Sequence, residues 1–315
     1  MDANTEWAPL EIGPESSDDR STATTEALQR RIDEIPDLEA LLDEKKALVF
    51  RGFQLTEDQL APIMDRVLPE RLAYVHGNSP RTKVGDNVYT STEYPAGFTI
   101  SMHNELSYSY RWPTRLMFCC LEAAETGGAT PVVDGSRWLE SLDDEVRERF
   151  DDGIRYTQNL HDGVGFGKSW QDTFETDDHD LVDSFLADPD TTAEWQRDGG
   201  LRITQHRPAT VRHPRTGTEV WFNQADQWHP ASLGDEVAAE LAALLSPDEL
   251  PQFVSFADGG PIPLEDVMQI RDRGLAAAVD VTWRKGDILL IDNVLVGHGR
   301  RPFTGSRRVL VAMSG

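Results

Sequence analysis

Short apolar segments that end at glycine or at a polar turn recur along the chain, and they restrict the folds that it can adopt. Three of them, Ala47–Phe53, Leu116–Ala123 and Ile288–Ile291, have the length and composition of buried strands. Helical patterns are grouped apart from these strands and do not alternate with them. The sequence therefore predicts an antiparallel sandwich or barrel with helices outside it, and disfavours a doubly wound nucleotide-binding fold.

The remaining elements follow from the same patterns. Further strands are predicted at Ala129–Val133, Leu201–Val211, Glu219–Asn223, Val279–Trp283 and Arg307–Ala312. Helices are predicted at Thr25–Leu42, Ser136–Phe150, Asp235–Leu245 and Leu264–Ala278. Turns are predicted at Gly127-Gly128 and Lys285-Gly286-Asp287.

We expect a single domain over residues 1–315, with two segments that differ from the rest. Residues 1–22 are rich in Pro, Ser, Asp and Glu and have no apolar period, which predicts a loosely ordered lead-in. Residues 162–200 are rich in Gly, Asp, Trp and Phe with weak periodicity. They are too long for an ordinary connection, so they predict an inserted, lid-like segment.

The charge of the chain restricts its partners. It carries 55 acidic and 30 basic residues, a net charge of −25 with histidine neutral. Repulsion from phosphate and anionic lipid disfavours nucleic acid and membrane partners. No apolar run approaches the ~20 residues that cross a bilayer, and the first residues lack the features of a signal peptide, so we expect a cytoplasmic protein. The only cysteines, Cys119 and Cys120, indicate a buried strand and not a zinc or redox site.

The sequence His103-Asn104-Glu105 is a candidate for metal binding. On an extended strand, residues two apart point to the same side, so His103 and Glu105 could bind one ion while Asn104 points away and supports them. With eight histidines and 55 acidic residues in the chain, about one such spacing is expected by chance. The pattern therefore needs a third ligand, which a two-histidine, one-carboxylate iron site would take from a distant histidine.

His298 is the best candidate for that third ligand. It lies between Gly297 and Gly299, which permit close approach, and Arg307-Arg308 opens the next strand, where an arginine could bind a carboxylate. The other histidines lack a comparable partner at similar spacing. We interpret them as surface or hydrogen-bonded structural residues: His76, His161, His179, His206, His213 and His229.

These residues resemble the iron(II)- and 2-oxoglutarate-dependent dioxygenases of the taurine dioxygenase (TauD/TfdA) type, over most of the chain. The likeness is greatest to the branch with clavaminate synthase and the amino-acid hydroxylases of peptide-antibiotic pathways, through the segments 103–109, Trp112-Pro113 and 49–53. Two further segments match in order, Gly127-Gly128-Ala129-Thr130-Pro131 and Asp292-Asn293 before His298.

The resemblance implies a double-stranded β-helix (jelly-roll, cupin-like) core and a set of roles. His103, Glu105 and His298 would bind Fe(II), and Thr130 would help to bind the cosubstrate 2-oxoglutarate. One arginine of the pair at 307 and 308 would bind the far carboxylate of the cosubstrate. We choose Arg308, but the spacing from His298 is one residue shorter than in taurine dioxygenase, so Arg307 remains an alternative.

The resemblance also implies the reaction. With O2, the enzyme would release succinate and CO2 and hydroxylate a C–H bond of a free or carrier-bound amino acid or related metabolite. Glu105 disfavours halogenation, since family halogenases have a small residue there, but desaturation, cyclisation and epoxidation remain open. Candidate substrate contacts are Asn78, Arg81, Thr92, Arg115, Asn223 and the insertion at 162–200.

Two other classes of function remain open from the residues themselves. A zinc hydrolase could use the same three ligands, although it would not need Arg308. A binding module could retain the metal for stability alone. Succinate release that depends on iron and 2-oxoglutarate would distinguish all three. The oligomeric state is not indicated by any pattern in the sequence.

Overall fold

The computed structural model of the protein describes residues 7–15, 24–77, 79, 81–233, 244–246 and 249–315. Its strands are β1 (Leu10–Ile12), β2 (Ala47–Phe50), β3 (Lys83–Gly85), β4 (Val88–Thr90), β5 (Ile100–His103), β6 (Arg115–Glu122), β7 (Thr126–Gly127), β8 (Thr130–Asp134), β9 (Ile154–Leu160), β10 (Thr191–Trp195), β11 (Leu201–Arg207), β12 (Thr210–Arg212), β13 (Glu219–Trp221), β14 (Gln252–Phe256), β15 (Val279–Val281), β16 (Ile288–Asp292), β17 (Val296–Arg300), β18 (Phe303–Thr304) and β19 (Arg308–Ser314).

The helices lie between or outside the strands. They are α1 (Thr25–Asp33), α2 (Leu38–Lys45), α3 (Leu60–Val67), α4 (Gly135–Ser141), α5 (Asp144–Arg149), α6 (Trp170–Phe174), α7 (His179–Phe185), α8 (Ala225–Trp228) and α9 (Leu264–Ala277), with 3-10 turns at Glu57–Gln59 and Pro230–Leu233. None of the helices in this part of the chain has the length and apolar character needed to cross a membrane.

Two sheets face each other across a common core. The larger has the strand order β1-β2-β16-β6-β19-β4-β3 and the smaller β15-β8-β17-β5, and only β1 and β2 pair in parallel. Phe118 of β6 and Val132 of β8 belong to one buried cluster, and the ring of Phe118 lies 5.2 Å from that of His298 in β17. The predicted antiparallel, double-stranded β-helix core is confirmed.

The outer face of the larger sheet is covered by helices. Cys119 of β6 is buried in a second cluster with Leu28 of α1 and Ile63 of α3, while its neighbours Phe118 and Cys120 pack in the inner core. Because successive strand residues point to opposite faces, a strand buried on both sides requires an unbroken apolar run. The prediction that the two cysteines lie in a buried strand is confirmed.

Two of the predicted helices are interrupted. The segment Thr25–Leu42 contains α1 and α2, separated at Pro36, because proline lacks an amide hydrogen and disfavours helical backbone in the residue before it. The segment Ser136–Phe150 contains α4 and α5, because Asp143 is extended and forms the N-cap of α5. The apolar period therefore predicted correctly that both segments are helical, but it did not predict where the helices are interrupted.

Two other predicted elements also differ from the structure. The strand predicted at Leu201–Val211 is divided by Pro208 into β11 and β12, which belong to different sheets. The helix predicted at Asp235–Leu245 falls almost entirely outside the described residues. Within the predicted lead-in, β1 pairs with β2 and is therefore ordered, while residues 1–6 and 16–22 lie outside the described part of the chain.

The insertion at 162–200 carries regular structure of its own. It contains α6, α7 and β10, and β10 extends a four-stranded sheet of order β10-β11-β9-β14. Trp170 and Val182 from its two helices are buried in one cluster with Ile203 of β11. Two helices of five and seven residues are too short to give a clear apolar period, which explains the weak signal. Its role as a lid stays a prediction.

The turn before β16 requires glycine. Gly286 has φ +90°, and a Cβ atom there would lie 2.2 Å from the carbonyl oxygen of Phe53. We expect Gly286→Ala to lower the free energy of unfolding by about 3 kcal/mol, since it adds a steric overlap to an unfavourable backbone conformation. The matched control is Gly217→Ala, where φ is +70° but no atom lies within 4 Å. It should cost about 1 kcal/mol. Urea unfolding of both variants measures the difference, and equal losses would contradict this account.

Candidate metal centre

Two neighbouring strands of the smaller sheet bring the predicted histidines together. His103 ends β5 and His298 lies in the middle of β17, and the two residues are direct partners in the antiparallel register. Their ring centroids are 4.3 Å apart. Glu105 follows in a turn in which Leu106 has φ +55°, so the expectation that the strand continues through Glu105 is wrong. The turn, and not strand alternation, directs the carboxylate toward the histidines.

The three side chains enclose a space suited to one metal ion. Oε2 of Glu105 lies 4.0 Å from Nε2 of His103 and 3.8 Å from Nε2 of His298, too far for hydrogen bonds. All three ligand atoms lie within 4.8 Å of one another, and all three residues are buried. Burial lowers the pKa of His103 and lowers that of His298 well below its usual value, so both imidazoles are neutral at neutral pH. Two neutral imidazoles and one carboxylate are the donor set of a non-haem iron(II) site.

A hydrogen-bond network joins the two chain segments that carry the ligands. The side chain of Asn293, at the corner between β16 and β17, accepts from the amide of Glu105 at 2.8 Å and donates to its carbonyl at 3.0 Å. In return, Nδ2 of Asn104 donates to the carbonyl of Asn293 at 2.7 Å. As expected, Asn104 points away from the metal centre, and it supports the ligands through the backbone.

A positively charged pocket lies beside the metal centre. Its lining includes three arginines and no carboxylate: Arg81, Ser91, Thr92, Ile100, His103, Phe118, Thr130, His298, Gly299, Arg300 and Arg307. Within the described residues, neither Arg300 nor Arg307 forms an ion pair with a carboxylate; Arg300 instead donates to four loop carbonyls, of which Pro95 is the nearest at 2.7 Å. In a chain of net charge −25, three arginines around one pocket, of which only Arg81 pairs with a carboxylate among the described residues, indicate a site for an anion.

Of the adjacent pair Arg307 and Arg308, Arg307 is the one that lines this pocket. Its Nε donates to the carbonyl of Gly128 at 3.0 Å, and its Nη1 donates to the hydroxyl of Ser91 at 3.2 Å. Burial, and then the nearby Arg300, lowers the pKa of Arg307 to about 10, so it remains charged at neutral pH. An anion bound in the pocket would offset both the burial of the Arg307 charge and its repulsion from Arg300.

The structure corrects the choice of Arg308. That residue is 43% exposed in its side chain and forms an ion pair of 2.7 Å with Glu57 on the outer side of the sheet. Adjacent strand residues face opposite sides, so only one of the two arginines can point inward. Val309 and Val311 pack in the inner core, so Arg307 lies on their face of the chain and Arg308 on the opposite face.

Thr130, at the start of β8, also lines the pocket and is buried. Its hydroxyl oxygen accepts a hydrogen bond from the indole Nε1 of Trp283 at 3.0 Å. Because that bond uses an oxygen lone pair, the hydroxyl hydrogen remains able to donate to an anion in the pocket. Trp283 therefore orients Thr130, a role that the sequence did not indicate.

The predicted substrate contacts divide into two groups. Arg81 and Thr92 line the pocket. Arg115 pairs with Glu39 instead, and Asn223 is buried where its side chain accepts from the amide of Ala225 at the start of α8. Asn78 lies outside the described residues. Sequence reasoning missed Ser91, Phe118 and Arg300, because each reaches the pocket from a strand or loop with no recognisable motif.

A second acidic cluster, also missed, lies at the outer corner of β16. Carboxylates of Asp43 and Asp292 approach His213, with His213 Nε2 at 3.1 Å from Asp292 Oδ2. Arg215 pairs with Asp43, and the other oxygen of Asp292 accepts from the amides of residues 294 and 295. These partners satisfy the cluster without a metal. It fixes the corner from which β17 starts.

Comparison with known proteins agrees with this geometry. Residues 6–313 match the family model described as "Taurine catabolism dioxygenase TauD, TfdA family". The chain belongs to this family. As a TauD/TfdA family member, it is an iron(II)- and 2-oxoglutarate-dependent dioxygenase, and the cluster of His103, Glu105 and His298 is the ligand set that such chemistry requires.

Two known proteins align with most of the length of this TauD/TfdA family member. The dapdiamide synthesis protein DdaC of Enterobacter agglomerans is 40% identical over 278 residues, which are 88% of this chain and 84% of DdaC. A clavaminate synthase-like protein of Arabidopsis thaliana is 30% identical over 289 residues, 88% of this chain and 83% of that protein. The branch suggested by the sequence motifs is confirmed.

Solved structures show the same fold at low identity. The PvcB protein of Pseudomonas aeruginosa superposes with a TM-score of 0.55 and 15% identity, covering 98% of this chain and 86% of PvcB. A taurine dioxygenase of Burkholderia xenovorans gives a TM-score of 0.53 with 13% identity, covering 98% and 88%. The jelly-roll architecture of this TauD/TfdA family member is thus shared by proteins with little sequence in common.

The hydrogen bonds of Asn293 to Glu105 should affect the metal affinity of this TauD/TfdA family member. We expect Asn293→Ala to weaken Mn(II) binding about tenfold or more, because the turn that carries Glu105 loses the contacts that orient it. Calorimetric titration of the metal-free protein with Mn(II) measures this. Asn159→Ala is the control, since that side chain donates to the carbonyl of Leu250 in a different sheet. Equal metal affinity in both variants would show that the network does not position the ligand.

Proposed function

We propose that this enzyme hydroxylates an unactivated C–H bond of an amino acid, free or attached to a carrier protein, or of a related small metabolite in a natural-product pathway. Substrate, 2-oxoglutarate and O2 would give hydroxylated substrate, succinate and CO2. The observation that carries the proposal is the convergence of His103, Glu105 and His298 at one end of a pocket that also contains Arg307. The amino-acid assignment is supported by the 40% identity to a dapdiamide synthesis protein.

We assign the iron to His103, Glu105 and His298. Bound iron(II) supplies the redox chemistry that couples the decarboxylation of 2-oxoglutarate to the activation of O2. The protein keeps both imidazoles neutral by burial, so that their nitrogen lone pairs are available. It also orients Glu105 through the contacts of Asn293 with the Glu105 backbone, and Arg81 donates to Oε2 of the carboxylate.

We assign the far carboxylate of 2-oxoglutarate to Arg307 and Thr130. Arg307 offers a charged guanidinium with no carboxylate partner among the described residues, and Thr130 offers a hydroxyl hydrogen directed by Trp283. Charge-assisted bonds of this kind offset the cost of removing an anion from water. Phe118 and Ile100 add apolar surface to a pocket lining that is otherwise largely polar.

The metal assignment is tested by removing a ligand. His103→Ala should reduce iron- and 2-oxoglutarate-dependent succinate release to the level without enzyme, while thermal unfolding shows that the fold is retained. His206→Ala is a matched control, because His206 is exposed on β11, outside the centre. Undiminished succinate release by His103→Ala would end the assignment. A wild-type protein that never releases succinate would instead favour a zinc hydrolase or a binding module.

The two adjacent arginines provide a matched test of the cosubstrate assignment. Arg307→Gln should raise the 2-oxoglutarate concentration for half-maximal succinate release by about tenfold or more, since a charge-assisted contact is lost. Arg308→Gln should leave it unchanged, because Arg308 pairs with Glu57 on the outer surface. The reverse result would return the role to Arg308.

The substrate class is tested by mass spectrometry. The protein is loaded with iron(II) and 2-oxoglutarate without oxygen, mixed with single amino acids, and then exposed to air. A gain of one oxygen atom in an amino acid supports hydroxylation. A loss of two hydrogen atoms would identify desaturation or cyclisation instead, and succinate release without any product from the amino-acid panel would exclude free amino acids.

A further inference from the structure

Arg81 occupies a position beside the metal centre that the ligand set does not explain. Its side chain is only 2% exposed, and its Nη2 donates to Oε2 of Glu105 at 2.6 Å. The guanidinium also lies 4.4 Å above the ring of Tyr74. It therefore contacts the same carboxylate oxygen that faces His103 and His298. A group bound to Arg81 would lie next to the metal.

Two nitrogens of Arg81 are left without a partner. Nε and Nη1 are buried, and neither has a hydrogen-bond acceptor within the described part of the chain. A buried donor without an acceptor loses its bonds to water and gains none in return, a cost of roughly 1–3 kcal/mol for a neutral group and more for a charged one. The face of Tyr74 stabilises the positive charge but accepts neither N–H. At the metal centre, Arg81 thus uses Nη2 to bind Glu105, while Nε and Nη1 have no acceptor among the described residues.

Charge balance indicates that the missing acceptor is an anion. Arg81, Arg300 and Arg307 line the pocket, and among the described residues Glu105 is the single carboxylate that pairs with any of them. Under the proposed function, iron(II) and the doubly negative 2-oxoglutarate cancel one another. The three arginines then exceed Glu105 in charge, so the assembled site remains positive. A further carboxylate would reduce this positive excess, and the planar fork of arginine binds carboxylates in two-point geometry.

We propose that Arg81 binds a carboxylate of the substrate and determines which substrates the enzyme accepts. The inference rests on the proposed function, because it assumes that Arg307 and Thr130 hold the cosubstrate. It deepens that function by requiring a substrate with a free carboxylate close to the carbon that reacts. A free amino acid meets this requirement. An amino acid whose only carboxyl group forms the thioester to a carrier protein does not.

The test uses acetate as the probe and acetamide as its neutral isostere. The protein is loaded with Mn(II), which does not turn over, and with saturating 2-oxoglutarate, and each probe is titrated by calorimetry at constant ionic strength. Wild type should bind acetate in a saturable manner and acetamide at least tenfold more weakly. Arg81→Gln should weaken acetate binding at least tenfold, and Arg66→Gln, whose side chain pairs with Asp33 on the surface, should not.

A second variant keeps the test decisive where Arg81→Gln does not fold. Arg81→Lys retains the charge but lacks the fork, so acetate should bind severalfold more weakly than to wild type and more tightly than acetamide does. Thermal unfolding of each Mn(II)-loaded variant shows which of them are folded. Acetate binding to Arg81→Lys that equals wild type would mean that the fork makes no contact with the probe.

Three results would overturn the proposal. The first is acetate binding no tighter than acetamide in wild type, and the second is equal acetate affinity in wild type and Arg81→Gln. The third is an acetate affinity that falls as 2-oxoglutarate is raised, together with weaker 2-oxoglutarate binding by Arg81→Gln, which would assign Arg81 to a carboxylate of the cosubstrate. Succinate release by wild type is measured separately, so failure of the proposed function is distinguished from failure of this inference.

Discussion

The hydrogen bonds by which Asn293 holds the backbone of Glu105 and Asn104 holds the backbone of Asn293 are the constraint on which the rest of the site depends. Asn104 and Asn293 are 189 positions apart, and each bonds to the backbone that carries the other. Both are fully buried, so water does not compete for their amide groups. The network fixes the turn of Glu105 against the corner that leads into His298. Without this network, the carboxylate of Glu105 in its turn and the imidazole of His298 in its strand would not be held in fixed relative positions.

The smaller sheet supplies the other half of this arrangement. Because His103 and His298 are paired in register, their relative position is set by the backbone ladder and not by flexible side chains. Glycines on either side of His298 allow neighbouring chain to approach; a Cβ at Gly299 would lie 2.5 Å from the carbonyl of Ile100. Rigid elements thus place two ligands, and the amide network places the third.

The positive pocket within an acidic protein explains the selectivity expected of the site. Arg300 donates from both terminal nitrogens to loop carbonyls and so holds the loop around Pro95, while Arg307 and Arg81 keep donors for ligands. Burial makes each of these charges costly when the pocket is empty and effective when an anion is bound. Under the proposed function, Arg307 and Arg81 would hold carboxylates of the cosubstrate and the substrate in a pocket beside the metal ligands.

The sequence alone determined the strand content, the grouping of helices and the three candidate ligands, because apolar period and local motifs are recorded in neighbouring residues. Tertiary structure decided the rest. Packing of Val309 and Val311 in the inner core places Arg307 on the same face of the chain, a turn replaced the strand expected at Glu105, and Arg81 met Glu105 through a loop with no periodic pattern. Each of these outcomes depends on contacts between distant segments, whose register and hydrogen bonds exist only once the sheets have closed.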